Sequence, residues 1–382
     1  MKSFPSLVAM ATVLATVADA HSVFSTLFVN DVSQGDGTCV RMNMDPQHCS
    51  SPIAGVDSED MACGASGSKP VAFTCPAAAG AKLTFEWRLW ADGSQPGSID
   101  ISHKGPCAIY AKQVKDMALD SAAGPGWIKL WDEGYDDSTG KWCTEKLIDN
   151  NGLMSIDIPK SLPGGYWLFR PELLALQNVV ANDPQFYTGC AQVFVQSDNT
   201  AALNVPAEYS VSIPGHVQPG EPALTFDIYS PNFPYPIPGP KVYTFGESET
   251  KAEMNTASSK IVIQSKGKIP SDYLIKNANW VGVEVPSYST EDGCWKSSEN
   301  CFSQVEKCYN SAPPTGSENC RVFEEKCDGI SAACDAGDFN GPPNKGEKLQ
   351  DQEPSPPSDI PDATANKKRR ARRARAILSW LS

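Results

Sequence analysis

His21 has the most chemistry to offer, because the chain is expected to be cut just before it. Residues 1–20 read as a secretory signal: Lys2 near the start, an apolar run from Leu7 to Val17, and the small-x-small site Ala18-Asp19-Ala20. Cleavage after Ala20 gives His21 a free α-amino group beside its imidazole. Two such nitrogens can chelate one metal ion. Nitrogen-rich tetragonal sites suit Cu(II), which stands at the top of the divalent affinity order. Any residue can follow a cleavage site, so the metal reading needs a further ligand. The other histidines are His48, His103 and His216. His103 lies in Ser102-His103-Lys104-Gly105-Pro106, a polar turn after a candidate strand. His48 sits beside Cys49 in a loop, and His216 follows Pro214-Gly215 in another turn. Residue types alone do not rank His103 above the other two.

The elements that must position these residues read as strands. Leu83-Thr84-Phe85-Glu86-Trp87, Ser155-Ile156-Asp157-Ile158, Cys190–Val195 and Ala223–Ile228 alternate with period two and are bounded by Gly, Pro and Asn. No long segment between 21 and 245 has a helical period. The segment therefore reads as an all-β fold, an antiparallel immunoglobulin- or fibronectin-like sandwich with long loops. Residues 246–290 are more polar and read as a linker or extension. Residues 341–382 are poor in apolar residues and read as a disordered tail. Its end, Lys367–Ser382, is basic and then apolar; it is either a solvated tail or a short amphipathic helix on an anionic surface.

All 13 cysteines follow the signal, and no close pairs of the zinc-site kind occur. Disulfides in an oxidising compartment are expected, with at least one cysteine left free or paired to another chain. Residues 291–340 hold Cys294, Cys301, Cys308, Cys320, Cys327 and Cys334, spaced seven, seven, twelve, seven and seven. Seven residues is about two helical turns, so the cysteines of each arm share a face. This reads as a disulfide-stapled helical pair joined at Pro313-Pro314-Thr315-Gly316, with an irregular cysteine-rich loop as the competing reading.

The net charge is -13, and seven basic residues lie between Lys367 and Arg375. Without that run, 45 acids face 25 bases. Such a body does not favour nucleic acid. No apolar run after the signal is long enough to span a membrane. A secreted, soluble monomer acting on a neutral partner such as a polysaccharide is expected.

At this point the chain resembles the fungal lytic polysaccharide monooxygenases of auxiliary activity family nine. The motifs occur in order over residues 21–245: His21 after the cleavage site, Ser102-His103-Lys104-Gly105-Pro106, Tyr166-Trp167-Leu168-Phe169-Arg170-Pro171-Glu172-Leu173-Leu174-Ala175-Leu176, Gln185-Phe186-Tyr187 with Cys190 following, and Tyr235-Pro236-Ile237-Pro238-Gly239-Pro240. The resemblance implies one copper ion, cycling between Cu(II) and Cu(I), held by the amino and ring nitrogens of His21 and by His103. Tyr187 would lie axial and Gln185 behind it. Without the resemblance, Tyr187 reads as a core tyrosine and Gln185 as a loop residue. It also implies a Cys63–Cys190 disulfide. Cys107 is unusual for the family and is paired with Cys143 in this reading; Cys39, Cys49 and Cys75 stay unassigned.

One position departs from the family pattern. Gln177 stands where a histidine is usual, and an amide cannot act as an acid near neutral pH. The implied activity is oxidative cleavage of β-1,4-glucan, as in cellulose, at C1 or C4 of the sugar, with O2 or H2O2 and an external electron donor. The alternatives are a secreted copper-binding cell-wall protein weakened by Gln177, or a carbohydrate-binding module without copper. Tyr235 is the substrate-facing candidate by motif. Trp127, Trp131 and Trp142, in what reads as a long loop, are further candidates, with core packing equally open.

Overall fold

The computed structural model describes residues 21–245, 262–352 and 360–361. The signal, residues 246–261 and most of the tail lie outside the described residues. In chain order the strands are β1 (Val23–Val29), β2 (Val32–Asp36), β3 (Val40–Arg41), β4 (Cys75–Ala78), β5 (Lys82–Arg88), β6 (Cys107–Val114) and β7 (Gly124–Glu133). A small hairpin of β8 (Tyr135–Asp136) and β9 (Lys141–Trp142) leads into helix α1 (Cys143–Asp149). Then come β10 (Leu153–Asp157), β11 (Gly165–Asn178), β12 (Asp183–Thr188), β13 (Cys190–Gln196) and β14 (Ser210–Ile213).

These strands form the expected antiparallel sandwich. One sheet runs β10-β5-β1-β2; the other runs β14-β7-β6-β11-β13-β3, with β12 added to β11 and β4 parallel to β13. Phe24 and Leu27 of β1 and Leu83, Phe85 and Trp87 of β5 meet Trp167, Phe169 and Leu173 of β11 between the sheets. Fully burying one such side chain is worth roughly 1.5–3 kcal/mol.

The central strand, β11, is buried on both faces, which is why its sequence is nearly all apolar. Trp167, Phe169, Leu173 and Ala175 join the inter-sheet core, whereas Leu168, Leu174 and Leu176 join a second core under the loops. Pro171, which has no N–H to donate, falls where β11 passes from β13 (last pair Phe169–Ala191) to β12 (first pair Glu172–Thr188).

The chain beyond residue 262 packs against this body. Strands β15 (Ile275–Asn277) and β16 (Trp280–Gly282) pair and lie under helices α2 (Glu291–Ser311) and α3 (Glu318–Asp335). The expected staples are present: Cys294–Cys334, Cys301–Cys327 and Cys308–Cys320. Thr290 caps α2 by accepting from the Gly293 N–H. The unit docks on the turn after β2: Thr38 donates to Ala278 O at 3.0 Å, and Asn279 bridges Cys39 N and Gly37 O.

Three expectations need correction. Ala223–Ile228 is a run of turns, not a strand; Pro222 and Pro231 bound it, and its alternation buries Leu224 and Phe226 under the loops. Trp127, Trp131 and Trp142 are core residues, at 0%, 3% and 4% exposure: the first two lie on strand Gly124–Glu133, and Trp142 ends β9 and packs on Phe226 and Tyr235. Residues 341–352 are not a free tail. Tyr288 pairs with Gly341, Leu349 N donates to Leu274 O at 2.9 Å, and Asn319 donates to Asp351.

Candidate metal centre

His21 immediately precedes β1. Ser22 anchors it, since its N–H donates to Ser50 O at 3.2 Å and its hydroxyl to Ser98 O at 2.7 Å. His103 sits in the turn before β6, and that turn is clamped to β11. Leu176 N donates to Lys104 O at 2.9 Å, and Leu174 N to Pro106 O at 3.1 Å. Gly105 lies between these bonds. A Cβ there would stand 1.9 Å from Leu174 O, so only glycine fits. Thr144 of α1 binds both backbone groups of Gly105 through its own N–H and hydroxyl. The Cys107–Cys143 bridge fixes the same α1 to β6, four residues past His103.

Tyr187 comes from β12, opposite Leu173, and Gln185 from the same face, opposite Ala175. Cys63–Cys190 ties down the chain just beyond it. The three rings make a near-equilateral triangle: His21–His103 6.4 Å, His21–Tyr187 6.1 Å and His103–Tyr187 6.0 Å between centroids. Residues 82 apart in sequence thus meet over a buried tyrosine.

The donor chemistry fits a copper ion. Ser102 Oγ lies 3.2 Å from His103 Nδ1. In the tautomer that donates this bond, Nε2 keeps its lone pair for a metal. Burial, with a smaller push from His21, lowers the His103 pKa against the pull of Asp100, which favours the neutral, ligating form. Among the described residues no three His, Cys, Asp or Glu side chains converge on one point. Two imidazoles alone make a weak site. The α-amino nitrogen that cleavage before His21 would release supplies the missing third donor.

Behind the rings runs a polar chain. Gln185 Oε1 accepts from Tyr187 Oη at 2.8 Å and from Gln177 Nε2 at 2.7 Å, while Gln185 Nε2 donates to Asp183 at 2.9 Å. Gln177 Oε1 is buried with no hydrogen-bond partner. On the other face of β11, Glu172 takes Arg170 at 2.7 Å and His216 at 3.1 Å. His216 is therefore a core residue, and exposed His48 pairs with Asp45 at 2.9 Å. The His216 ring packs instead on Tyr110 and Phe186.

Residues 21–235 match the profile of Auxiliary Activity family 9 (formerly GH61). The chain belongs to this family. It is 49% identical over 346 residues to the AA9 family lytic polysaccharide monooxygenase C of Aspergillus tamarii, covering 89% of this chain and 92% of that one. It is 50% identical to the AA9 family lytic polysaccharide monooxygenase H of Botryotinia fuckeliana, covering 88% and 78%. The solved structure of CvAA9A superposes with a TM-score of 0.51 at 33% identity, over 58% of this chain and 98% of that one. AA9 proteins are secreted fungal, copper-dependent oxidoreductases of polysaccharides.

Other expected and unexpected residues find their places in this AA9 fold. Tyr235 does not face a substrate. It is 9% exposed, donates its hydroxyl to Ala223 O at 3.0 Å and packs edge-on to Trp142 and Phe226. An exposed tyrosine, Tyr229 at 67%, reaches Gln177 O with its hydroxyl at 3.3 Å. The misassigned strand hid it, although a lone Tyr in a Pro-bounded turn was a usable signal. Cys39–Cys75 is bridged, which leaves Cys49 as the free cysteine among the described residues.

Proposed function

We propose that this AA9 protein oxidatively cleaves β-1,4-glucan, with cellulose as substrate, at C1 or C4, using O2 or H2O2 and an external electron donor. The observation that carries the reading is the triangle of His21, His103 and Tyr187. The amino and ring nitrogens of a mature His21 and the ring of His103 would hold a copper ion there, beside the Tyr187 ring. Copper bound there supplies one-electron cycling and activation of the oxygen co-substrate.

The protein's own residues do the rest. Ser22 and the clamped Gly105 turn hold the two imidazoles at fixed separation. Gln185 keeps the Tyr187 hydroxyl turned towards it, so the tyrosine oxygen is oriented without a charge. Tyr229, exposed next to Gln177, supports stacking of a sugar ring beside the centre. In this reading the mature monomer is secreted and begins at His21. Residues 21–245 are the catalytic unit, 246–290 an extension, 291–340 the stapled module and 341–382 a C-terminal segment whose first part, to residue 352, docks on that module.

A second reading is favoured by Gln177. One of its N–H groups is committed to Gln185, so a copper-binding cell-wall protein with weak turnover fits the same geometry. The experiment that separates them loads mature protein with copper and adds ascorbate and amorphous cellulose. Oxidised oligosaccharides by mass spectrometry support the monooxygenase; soluble products without added oxygen contradict it. Tight copper binding with no products selects the second reading.

A further inference from the structure

Helix α2 carries an aromatic residue directly after each of its three cysteines: Cys294-Trp295, Cys301-Phe302 and Cys308-Tyr309. All three cysteines turn into the seam with α3, because each is bridged to it. One position further on is a rotation of about 100°. The aromatics therefore form a row beside the seam. Trp295 is 37% and Tyr309 41% exposed, and Phe302 between them is half-buried. Helix α3 has no such row, since Arg321, Asp328 and Asp335 follow its cysteines.

Phe302 packs partly against the module's core and the Tyr309 hydroxyl reaches Glu324 of α3, yet both leave ring surface outside, as Trp295 does. The buried face of α2 consists of Cys294, Ser297, Ser298, Cys301, Val305 and Cys308. The spacing of the row is the informative feature. Seven residues at 1.5 Å each give about 10.5 Å between successive aromatics, and the row drifts only about 20° per heptad. In an extended β-1,4-glucan each sugar is turned over relative to the next. The same ring face thus recurs every second sugar, a repeat of about that length.

The surroundings suit a neutral sugar chain better than other occupants. Glu299 and Glu306 are exposed and lie one turn beyond Trp295 and Phe302, where carboxylates accept from hydroxyls. The same charges, on a chain of net charge -13, disfavour nucleic acid or an anionic lipid surface. The platform is rigid: three disulfides lock the helices, and the Tyr309 hydroxyl donates to Glu324 at 2.7 Å. Little freedom remains to be lost on binding. The module is also tethered near the centre. It docks on the turn at Gly37, whose N–H donates to Ser25 O at 2.9 Å, four residues from His21.

We propose that Trp295, Phe302 and Tyr309 form a second glucan-binding surface, which holds a β-1,4-glucan chain by ring stacking while the centre acts on it. The inference rests on β-1,4-glucan being the substrate. The test uses full-length, mature, copper-loaded protein on crystalline cellulose without reductant, so that binding is read apart from oxidation. Trp295→Ala with Tyr309→Ala should lower the partition coefficient about tenfold, as loss of two stacked rings implies. Trp295→Tyr with Tyr309→Phe keeps the rings and should bind within about twofold of wild type. Helix content by circular dichroism and Tm should match wild type in both, which checks that the stapled helices are folded. Unchanged partitioning of the alanine variant overturns the proposal, as does equal loss in the ring-preserving variant. Cellulose binding that needs the rings, in a protein that releases no oxidised sugars, keeps this inference and sinks the monooxygenase reading alone.

Discussion

Gln177 donates through Nε2 to Gln185 Oε1 at 2.7 Å, the same oxygen that accepts the Tyr187 hydroxyl at 2.8 Å. The Gln177 side chain is thus partly spent on holding its neighbour. Its own Oε1 is buried without a partner and can only accept. An amide has no proton to give near neutral pH. Gln177→His should therefore raise H2O2-driven turnover several-fold, with copper affinity unchanged. Initial rates of oxidised-sugar release would measure this. No gain in rate would show that this position does not govern proton supply.

The third nitrogen donor exists only if the chain starts at His21. One extra residue before it converts the amine to an amide, which does not ligate without losing a strongly held proton. An Ala-His21 form should lose at least about a hundredfold in Cu(II) affinity by isothermal calorimetry, in the range of removing a chelating ligand or its support. A free α-amine ordinarily has a pKa of about 7.7–8.0, so copper and protons would compete for such a group at His21. Affinity should fall as pH drops from 8 to 5. A flat profile would argue against the amine as ligand.

The ion pair behind β11 sets the acid limit of stability. Burial raises Glu172, but Arg170 and His216 more than offset it and hold its pKa at about 2, below the ordinary 4.5. That contribution is complete above pH 4.5 and is lost as pH falls towards 2. Burial lowers the His216 pKa despite Glu172. The folded protein thus resists protonating His216, and stability present above pH 6.5 is lost as pH falls through its lowered value. Both act in one direction. Tm should fall on acidification from pH 7 to pH 3, by a loss on the order of 1–3 kcal/mol. Glu172→Gln should be less stable at pH 7, by about 3–5 kcal/mol, because Arg170 is left buried alone. Its Tm should then vary less between pH 5 and pH 3. A wild-type Tm that rises on acidification would contradict an ionised Glu172.

Much of this was legible in the sequence, for physical reasons that differ by region. β5, β10 and β13 show period two because alternate residues enter the inter-sheet core, while those between, although buried, are mostly polar in β5 and β10. β11 was readable only through its motif, since burial on both faces erases alternation. The stapled helices were readable because cysteines at seven-residue spacing must share a helix face, and all three bridges follow that register. The Ala223–Ile228 segment failed because turns packed under loops bury alternate residues as strands do. Tyr235 failed because its motif fixes a closing segment, not exposure; its ring fills space beside Trp142. Short-range pattern could not show that His21 and His103 meet. Their meeting depends on β11, whose carbonyl at Leu174 and N–H groups at 174 and 176 seat the His103 turn.

That seat gives the sharpest mutational prediction. At Gly105 the ideal Cβ position is 1.9 Å from Leu174 O and 3.0 Å from Leu174 C, both backbone atoms of the central strand. No rotamer change can relieve such a clash; either β11 or the turn must move. β11 is held on both sides by β6, β12 and β13, so the turn should yield. The hydrogen bonds from Leu174 and Leu176 would lengthen, and His103 would leave its place opposite His21. Gly105→Ala should cost about 2–4 kcal/mol of stability, in the range of overpacking and lost buried hydrogen bonds. Copper affinity should fall at least tenfold, because displacement of about 1 Å at a ligand is enough to spoil a fixed site. Chemical denaturation and calorimetry on the same preparation separate the two effects. A Gly105→Ala protein that loses stability yet binds copper as tightly as wild type would show that His103 is not positioned by this turn.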